Sequence, residues 1–277
     1  MTLNIQGKLL DFDTPQVMGI LNVTPDSFYA DSRVQARETI RLRGEQILSE
    51  GGQMIDVGAY STRPGATEVT EAEEWQRLEL ALSVLREAFS ECVISVDTFR
   101  AEVAKRCVKD FGVDIINDVS GGKDPMMFAT VADLRVPYVL THSGGVADDA
   151  IDGNVSAEEY VPSLCSWLAE RLQRLWEQGV ADVILDPGFG FGKTLAQNYQ
   201  IVKRLEDIVG VFPDNPFLIG VSRKSMICKL LDIHPEEALN GTTVLNTLAL
   251  KAGARILRVH DVRQAVEAVK MIEMLKD

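Results

Sequence analysis

Eight short apolar runs rich in β-branched residues return along the chain, at 17–21, 54–57, 93–96, 114–116, 138–140, 183–185, 217–221 and 255–257. Each is too short for a helix and reads as a strand covered on both faces. Amphipathic patterns lie between them. Residues 71–88 put Trp75, Leu78, Leu82 and Leu85 on one face, and 158–178 do so with Leu164, Leu168, Leu172 and Leu175. Residues 261–275 close the chain with a helical face of Val262, Val266, Val269 and Leu275. Eight strand–helix units predict an α/β fold, a single (β/α)8 barrel. A doubly wound sheet is the competitor, but no glycine fingerprint follows the first strand. The first residues, with LNIQGKLLDF, are expected to form a short hairpin closing the barrel floor. No linker or shift of composition divides the chain, so 1–277 is expected to be one domain.

Charge narrows the partners. Lys and Arg number 28 against 41 Asp and Glu, a net −13, so bulk charge excludes nucleic acid and anionic membrane. No apolar run approaches the ~20 residues of a membrane helix. The amino terminus lacks the basic and apolar regions of a secretory signal. Four cysteines without CxxC spacing read as thiols of a reducing, cytoplasmic setting. Three histidines, His142, His234 and His260, argue against a multi-histidine metal site.

The stretch DPGFGFGKT at 186–194 looks like a phosphate loop, and its spacing says otherwise. A Walker-type loop needs a glycine where Pro187 stands, and Gly188, Gly190 and Gly192 make G-x-G-x-G rather than the dinucleotide pattern. What remains is a strand ending in Asp186, then a tight loop around Phe189 and Phe191. Lys193 reads as a solvated residue at a helix start.

In such a barrel, chemistry sits where strands end. Those ends carry Asn22, then Ser61-Thr62-Arg63, Asp97, Asn117 and Asp118, His142, Asp186, Ser222-Arg223-Lys224, and Arg258-Val259-His260. Any one has a structural explanation, as a helix cap or a turn. A polar group from every strand points to one site. Asp97, Asn117 and Asp186 supply acceptors that suit adjacent N–H donors on a heterocycle edge. Arg63, Lys224, Arg258 and His260 suit a phosphate or carboxylate. Asn22 offers an oxygen to a Mg²⁺ that keeps most of its waters.

Seven segments in order resemble the dihydropteroate synthases of the folate pathway. They are MGILNVTPDSF (18–28), STRPGA (61–66), SVDT (95–98), INDVSGG (116–122), DPGFGFGK (186–193), GVSRKSMI (220–227) and RVHDV (258–262). The resemblance implies a cytoplasmic transferase that joins 6-hydroxymethyl-7,8-dihydropterin diphosphate to 4-aminobenzoate, using Mg²⁺ and acting as a homodimer. It implies that Asp97, Asn117, Asp186, Lys224 and Thr62 hold the pterin. Asn22, Arg63, Arg258 and His260 would hold the diphosphate, with the metal at Asn22. Phe28, Thr62, Arg63, Pro64, Phe191, Ser222 and Lys224 would frame aminobenzoate. Asn22, Arg63, Lys224, Arg258 and His260 would be the catalytic group, in a dissociative substitution that sulfonamides block.

The chain departs from the family pattern at residues 29–33, at Tyr60 in place of a Glu, and at Ser143-Gly144-Gly145 after His142. Two rivals remain at this point, a methyltetrahydrofolate-dependent methyltransferase and a non-catalytic pterin binder. The conjunction of Ser-Thr-Arg-Pro, Ser-Arg-Lys-Ser and Arg-Val-His disfavours both, since neither needs to stabilise a leaving diphosphate.

Overall fold

The computed structural model describes residues 1–5, 7–23, 32–60, 69–144 and 157–275. A hairpin, β1 (Thr2–Ile5) and β2 (Lys8–Asp11), precedes the alternating part. The parallel strands are β3 (Gln16–Asn22), β4 (Met54–Gly58), β5 (Val93–Asp97), β6 (Ile115–Asp118), β7 (Tyr138–Thr141), β8 (Val183–Asp186), β9 (Leu218–Ile219) and β10 (Ile256–Val259). Between and after them run α1 (Ser32–Ser49), α2 (Glu71–Ala88), α3 (Ala101–Phe111), α4 (Met127–Leu134) and α5 (Ala157–Glu177). The remaining helices are α6 (Leu195–Lys203), α7 (Leu205–Val211), α8 (Ser225–Leu231), α9 (Leu239–Lys251) and α10 (Val262–Glu273).

The strands pair in the order β8-β7-β6-β5-β4-β3-β10-β9, so the first pairs with the last and the sheet curls into the predicted barrel. The ring closes through one bridge, Leu185 to Phe217, and the Leu185 N–H bonds the Pro216 carbonyl at 2.9 Å. The expected seventh strand, 217–221, shrinks to β9. Pro216 has no N–H for the ladder, and beyond Gly220 the chain turns, Lys224 N–H reaching back to Val221. Local chemistry fixes helix starts. Thr70 and Glu73 form a reciprocal cap on α2, and Thr194 and Gln197 form one on α6. The Thr of the Gly-Lys-Thr that mimicked a phosphate loop is therefore a helix cap.

Alternation along the strands separates two cores. Val17, Leu21, Ile55, Val57, Ile94, Val96, Ile116, Leu140, Leu185 and Leu257 face the helices. Met18, Met54, Ile115, Val139, Ile184, Leu218 and Ile256 fill the barrel with Leu3, Ile5 and Phe12 of the hairpin segment, which closes the floor as expected. Every second residue toward the carboxyl end continues that inner face. Above the apolar plug it becomes polar: Asp56, Ser95, Asp97, Asn117, Thr141, Asp186 and Arg258.

Candidate active site

Strand register builds the first half of the site. Asn22, Gly58, Asp97 and Asn117 lie side by side across β3, β4, β5 and β6. Gly58 leaves room between its neighbours, since a Cβ there would sit 3.4 Å from Asn22 Oδ1 and 3.6 Å from Asp97 Cβ. Arg258 enters this layer from β10. Its Nε donates to Asp56 Oδ2 at 2.6 Å and its Nη2 to Asp97 Oδ2 at 2.9 Å. Asn117 Nδ2 lies 3.3 Å from both oxygens of Asp56, while Asn117 Oδ1 is buried and has no hydrogen-bond partner. Burial, opposed by Arg258 and reinforced by Asp56, pushes the Asp97 carboxyl up to about 7. Burial works against the Arg258 charge, but Asp56 and Asp97 outweigh it and hold the guanidinium above its ordinary range.

The second half is the loop after β8. Asp186 Oδ1 accepts the Gly188 N–H at 2.7 Å, and burial raises this carboxyl too. Gly188 and Gly192 have positive φ, and a Cβ on either would overlap a carbonyl oxygen, of His142 and Gly144 respectively. The loop is thus pressed against the end of β7. Lys193 ties it there, its ammonium donating to the carbonyls of Gly188 (2.6 Å) and His142 (2.9 Å). That corrects the reading of Lys193 as solvated; burial lowers it to about 7. Lys224 crosses the loop from the other side, bonding the Phe189 carbonyl with its ammonium 4.4 Å from the Phe191 ring centroid. Burial, opposed by Asp186, lowers Lys224 to about 8.

His260 forms the third corner. Its backbone N–H donates to Ser222 Oγ at 3.1 Å, and the same oxygen lies 2.9 Å from its Nδ1. The hydroxyl has one proton to give. Giving it to Nδ1 satisfies both groups and leaves the imidazole proton on Nε2. Burial, with Arg223 and Arg258 nearby, lowers His260 to about 4, so at neutral pH it meets an anion as an N–H donor. A cavity of about 480 Å³ opens beside it, lined by Asn22, Arg43, Arg223 and Asp261 among others. Arg223 is held by a two-pronged ion pair to Asp261 at 2.6 and 3.0 Å.

Of the predicted residues, the structure brings Asn22, Asp97, Asn117, Asp186, Phe191, Ser222, Lys224, Arg258 and His260 to one end of the barrel. Phe28, Thr62, Arg63 and Pro64 lie outside the described residues. The Ser222 hydroxyl, expected to frame aminobenzoate, is engaged by His260. His142, counted among the strand ends, faces outward. Its ring packs 4.8 Å from Trp167 of α5, and Thr141 takes the inward position. Asp56 escaped the sequence reading, although an acid inside the apolar run Met54-Ile55-Asp56-Val57 marked it. Tyr60, where the family has Glu, packs edge-on against Phe99 at 5.2 Å, with the Arg100 guanidinium 5.8 Å from its centroid. Among the described residues no group of three His, Cys, Asp or Glu is arranged to hold a metal.

A family model described as pterin binding enzyme matches residues 18–260. The chain is 38% identical over 275 residues to dihydropteroate synthase of Escherichia coli, covering 99% of this chain and 96% of that protein. Among solved structures it resembles dihydropteroate synthase of Xanthomonas albilineans with 4-aminobenzoic acid (TM-score 0.86, 36% identity, 99% and 97% of the two chains). It also resembles the Yersinia pestis dihydropteroate synthase in a sulfonamide drug complex (TM-score 0.86, 34% identity, 99% and 98%).

Proposed function

Because the chain belongs to the dihydropteroate synthase family of pterin-binding enzymes, we propose that it joins 6-hydroxymethyl-7,8-dihydropterin diphosphate to 4-aminobenzoate, releasing diphosphate. The observation that carries this reading is the polar layer above the barrel plug. There the acceptors Asp97, Asn117 and Asp186 meet Arg258 and Lys224, beside a cavity at Asn22 and His260.

In this reading Asp97, Asn117 and Asp186 accept N–H bonds from the pterin edge. Lys224 reaches the ring's oxygen and nitrogen side, and Thr62 covers it. The unpartnered Asn117 Oδ1 is the acceptor such a ring would satisfy. Arg63, Arg258 and the Nε2–H of His260 hold the diphosphate. The carbon–oxygen bond to diphosphate breaks first, its electron pair leaving with the diphosphate. The cation left on the methylene carbon delocalises into the ring, where Asp97 and Asp186 stabilise it. Arg258, Arg63 and His260 stabilise the charge gathering on the leaving group. His260 enters neutral and donates its Nε2–H to the charge that gathers on the departing diphosphate. The aromatic amine attacks the carbon and, as the new bond forms, loses its proton to the released diphosphate or to water. Phe191, with Phe28, Pro64 and Ser222, frames the aminobenzoate, and Lys224 lies against that wall.

Asn22 suits Mg²⁺. It offers one neutral oxygen ligand beside a cavity roomy enough for waters and phosphate oxygens, as a cation that keeps its waters and borrows phosphate oxygens requires. When bound, Mg²⁺ would neutralise part of the diphosphate charge. The four free cysteines fit a cytoplasmic setting, and no helix among the described residues is long and apolar enough to cross a membrane. Leu230 and Leu231 of α8 and Val244 and Leu248 of α9 are exposed, which supports a homodimer through these helices. The family match, spanning most of the chain, supports reading 1–277 as one catalytic domain.

Mixing both substrates with Mg²⁺ should release diphosphate, and sulfonamides should compete with aminobenzoate. Pterin fluorescence changes without diphosphate release would reveal a binder only. A response to methyltetrahydrofolate would reveal a methyltransferase.

A further inference from the structure

Asp56 stands one layer below the residues that face the mouth. It is two residues before Gly58 on the inner face of β4, and its register partners are Ile20 and Ser95. It is fully buried, directly above the apolar plug, where Met54 precedes it on the same face. A carboxylate there is costly to desolvate, and shape alone would be served by an apolar side chain. Its hydrogen bonds go to Arg258 Nε and Asn117 Nδ2, both groups of the proposed site.

We propose that Asp56 is a positioning residue that fixes the hydrogen-bonding polarity of the ring site, holding the Asn117 amide nitrogen inward so that its oxygen is left for the ligand. This rests on the reading of Asn117 as a pterin contact. An ionised carboxylate can only accept, so the amide face turned toward it must be the NH₂. The opposite face is then the carbonyl, and Asn117 Oδ1 is buried without a partner. An amide by itself has no such preference, because its two ends are nearly the same shape. The same carboxylate takes Arg258 Nε while Asp97 takes Nη2, which fixes the plane of the guanidinium. One buried acid therefore sets the orientation of both a neutral and a cationic partner.

The first test needs no variant. In the ligand-free protein the Asn117 side-chain NH₂ resonances, identified by their absence in Asn117→Asp, should be shielded from exchange with solvent. Rapid exchange would overturn the proposal. The second test titrates 6-hydroxymethylpterin and inorganic diphosphate separately. Asp56→Asn should weaken the pterin by about tenfold or more, the scale of one charged hydrogen bond. Diphosphate affinity should stay within about threefold, because the new amide oxygen can still accept from Arg258 Nε and Asp97 still holds Nη2. The exchanged pair Asp56→Asn/Asn117→Asp restores an inward donor–acceptor contact and an outward acceptor, and should recover most of the lost pterin affinity. Equal loss of both ligands in Asp56→Asn, or an exchanged pair no better than the single variant, would overturn the proposal in favour of a packing role. If the unaltered protein binds no pterin, the functional reading fails instead, and the NH₂ exchange result still decides the role of Asp56.

Discussion

On the β4–β5–β6–β10 side of the barrel mouth, side chain binds side chain: Asp56, Asp97, Asn117 and Arg258 form one bonded group. On the β7–β8–β9 side, side chains bind backbone. Asp186 takes an N–H two residues on, and Lys193 and Lys224 hold carbonyls of the glycine loop. The first side resists change because each charge is compensated by another within the core. The second owes its shape to glycines and carbonyls, so its side chains are freer to meet a ligand. Substitutions should therefore damage the fold on one side and binding on the other.

The largest effect should come from Arg258→Met. It strands Asp56 and Asp97 in the interior, and breaking a buried ion pair costs about 3–5 kcal/mol. Denaturant unfolding should show that loss together with lost turnover. Stability within about 1 kcal/mol of the unaltered protein would end the claim that this side is held by its charges.

Asp186→Asn should behave oppositely. The amide oxygen can still accept the Gly188 N–H, so unfolding should be nearly unchanged. Pterin affinity should drop by about 1.5–3 kcal/mol, the worth of a charged hydrogen bond. A large loss of stability with intact pterin binding would reverse the proposed contrast.

Much of this contrast was open to a reader of the sequence, for identifiable reasons. Repeated apolar runs announced the barrel, and acids directly after them announced Asp97 and Asp186. Asp56 was hidden because a single acid in an apolar run reads as strand, although counting by twos from Gly58 places it on the inner face. The same count assigns Thr141 inward and His142 outward, which proximity to a strand end cannot do. Lys193 was misread because its partners include the carbonyl of His142, just after β7 and about 50 residues earlier in the chain. Local sequence carries the parity of a strand, whereas burial of a loop cation depends on chain that arrives from elsewhere.

His142 gives the smallest effect and the sharpest check on that parity. Its ring is fully buried against Trp167 and Tyr160, and neither nitrogen has a partner. Burial, with Lys193 and Arg171 adding repulsion, holds it well below its usual range. The unfolded chain takes up a proton near pH 6.5 while the folded one does not, so folding loses stability as pH falls below that value and recovers it above. Other groups bend the overall curve, since Asp97, raised to about 7, contributes with the opposite sign. The difference between unaltered protein and His142→Phe isolates one ring. At pH 7.5 the two should unfold within about 0.5 kcal/mol, because an apolar ring of similar shape replaces one that makes no hydrogen bond. One unit below pH 6.5 the phenylalanine variant should lead by about 1.4 kcal/mol more. A difference that stays flat with pH would mean that His142 meets water or a partner when protonated, and that the outward face of β7 is not the dry one.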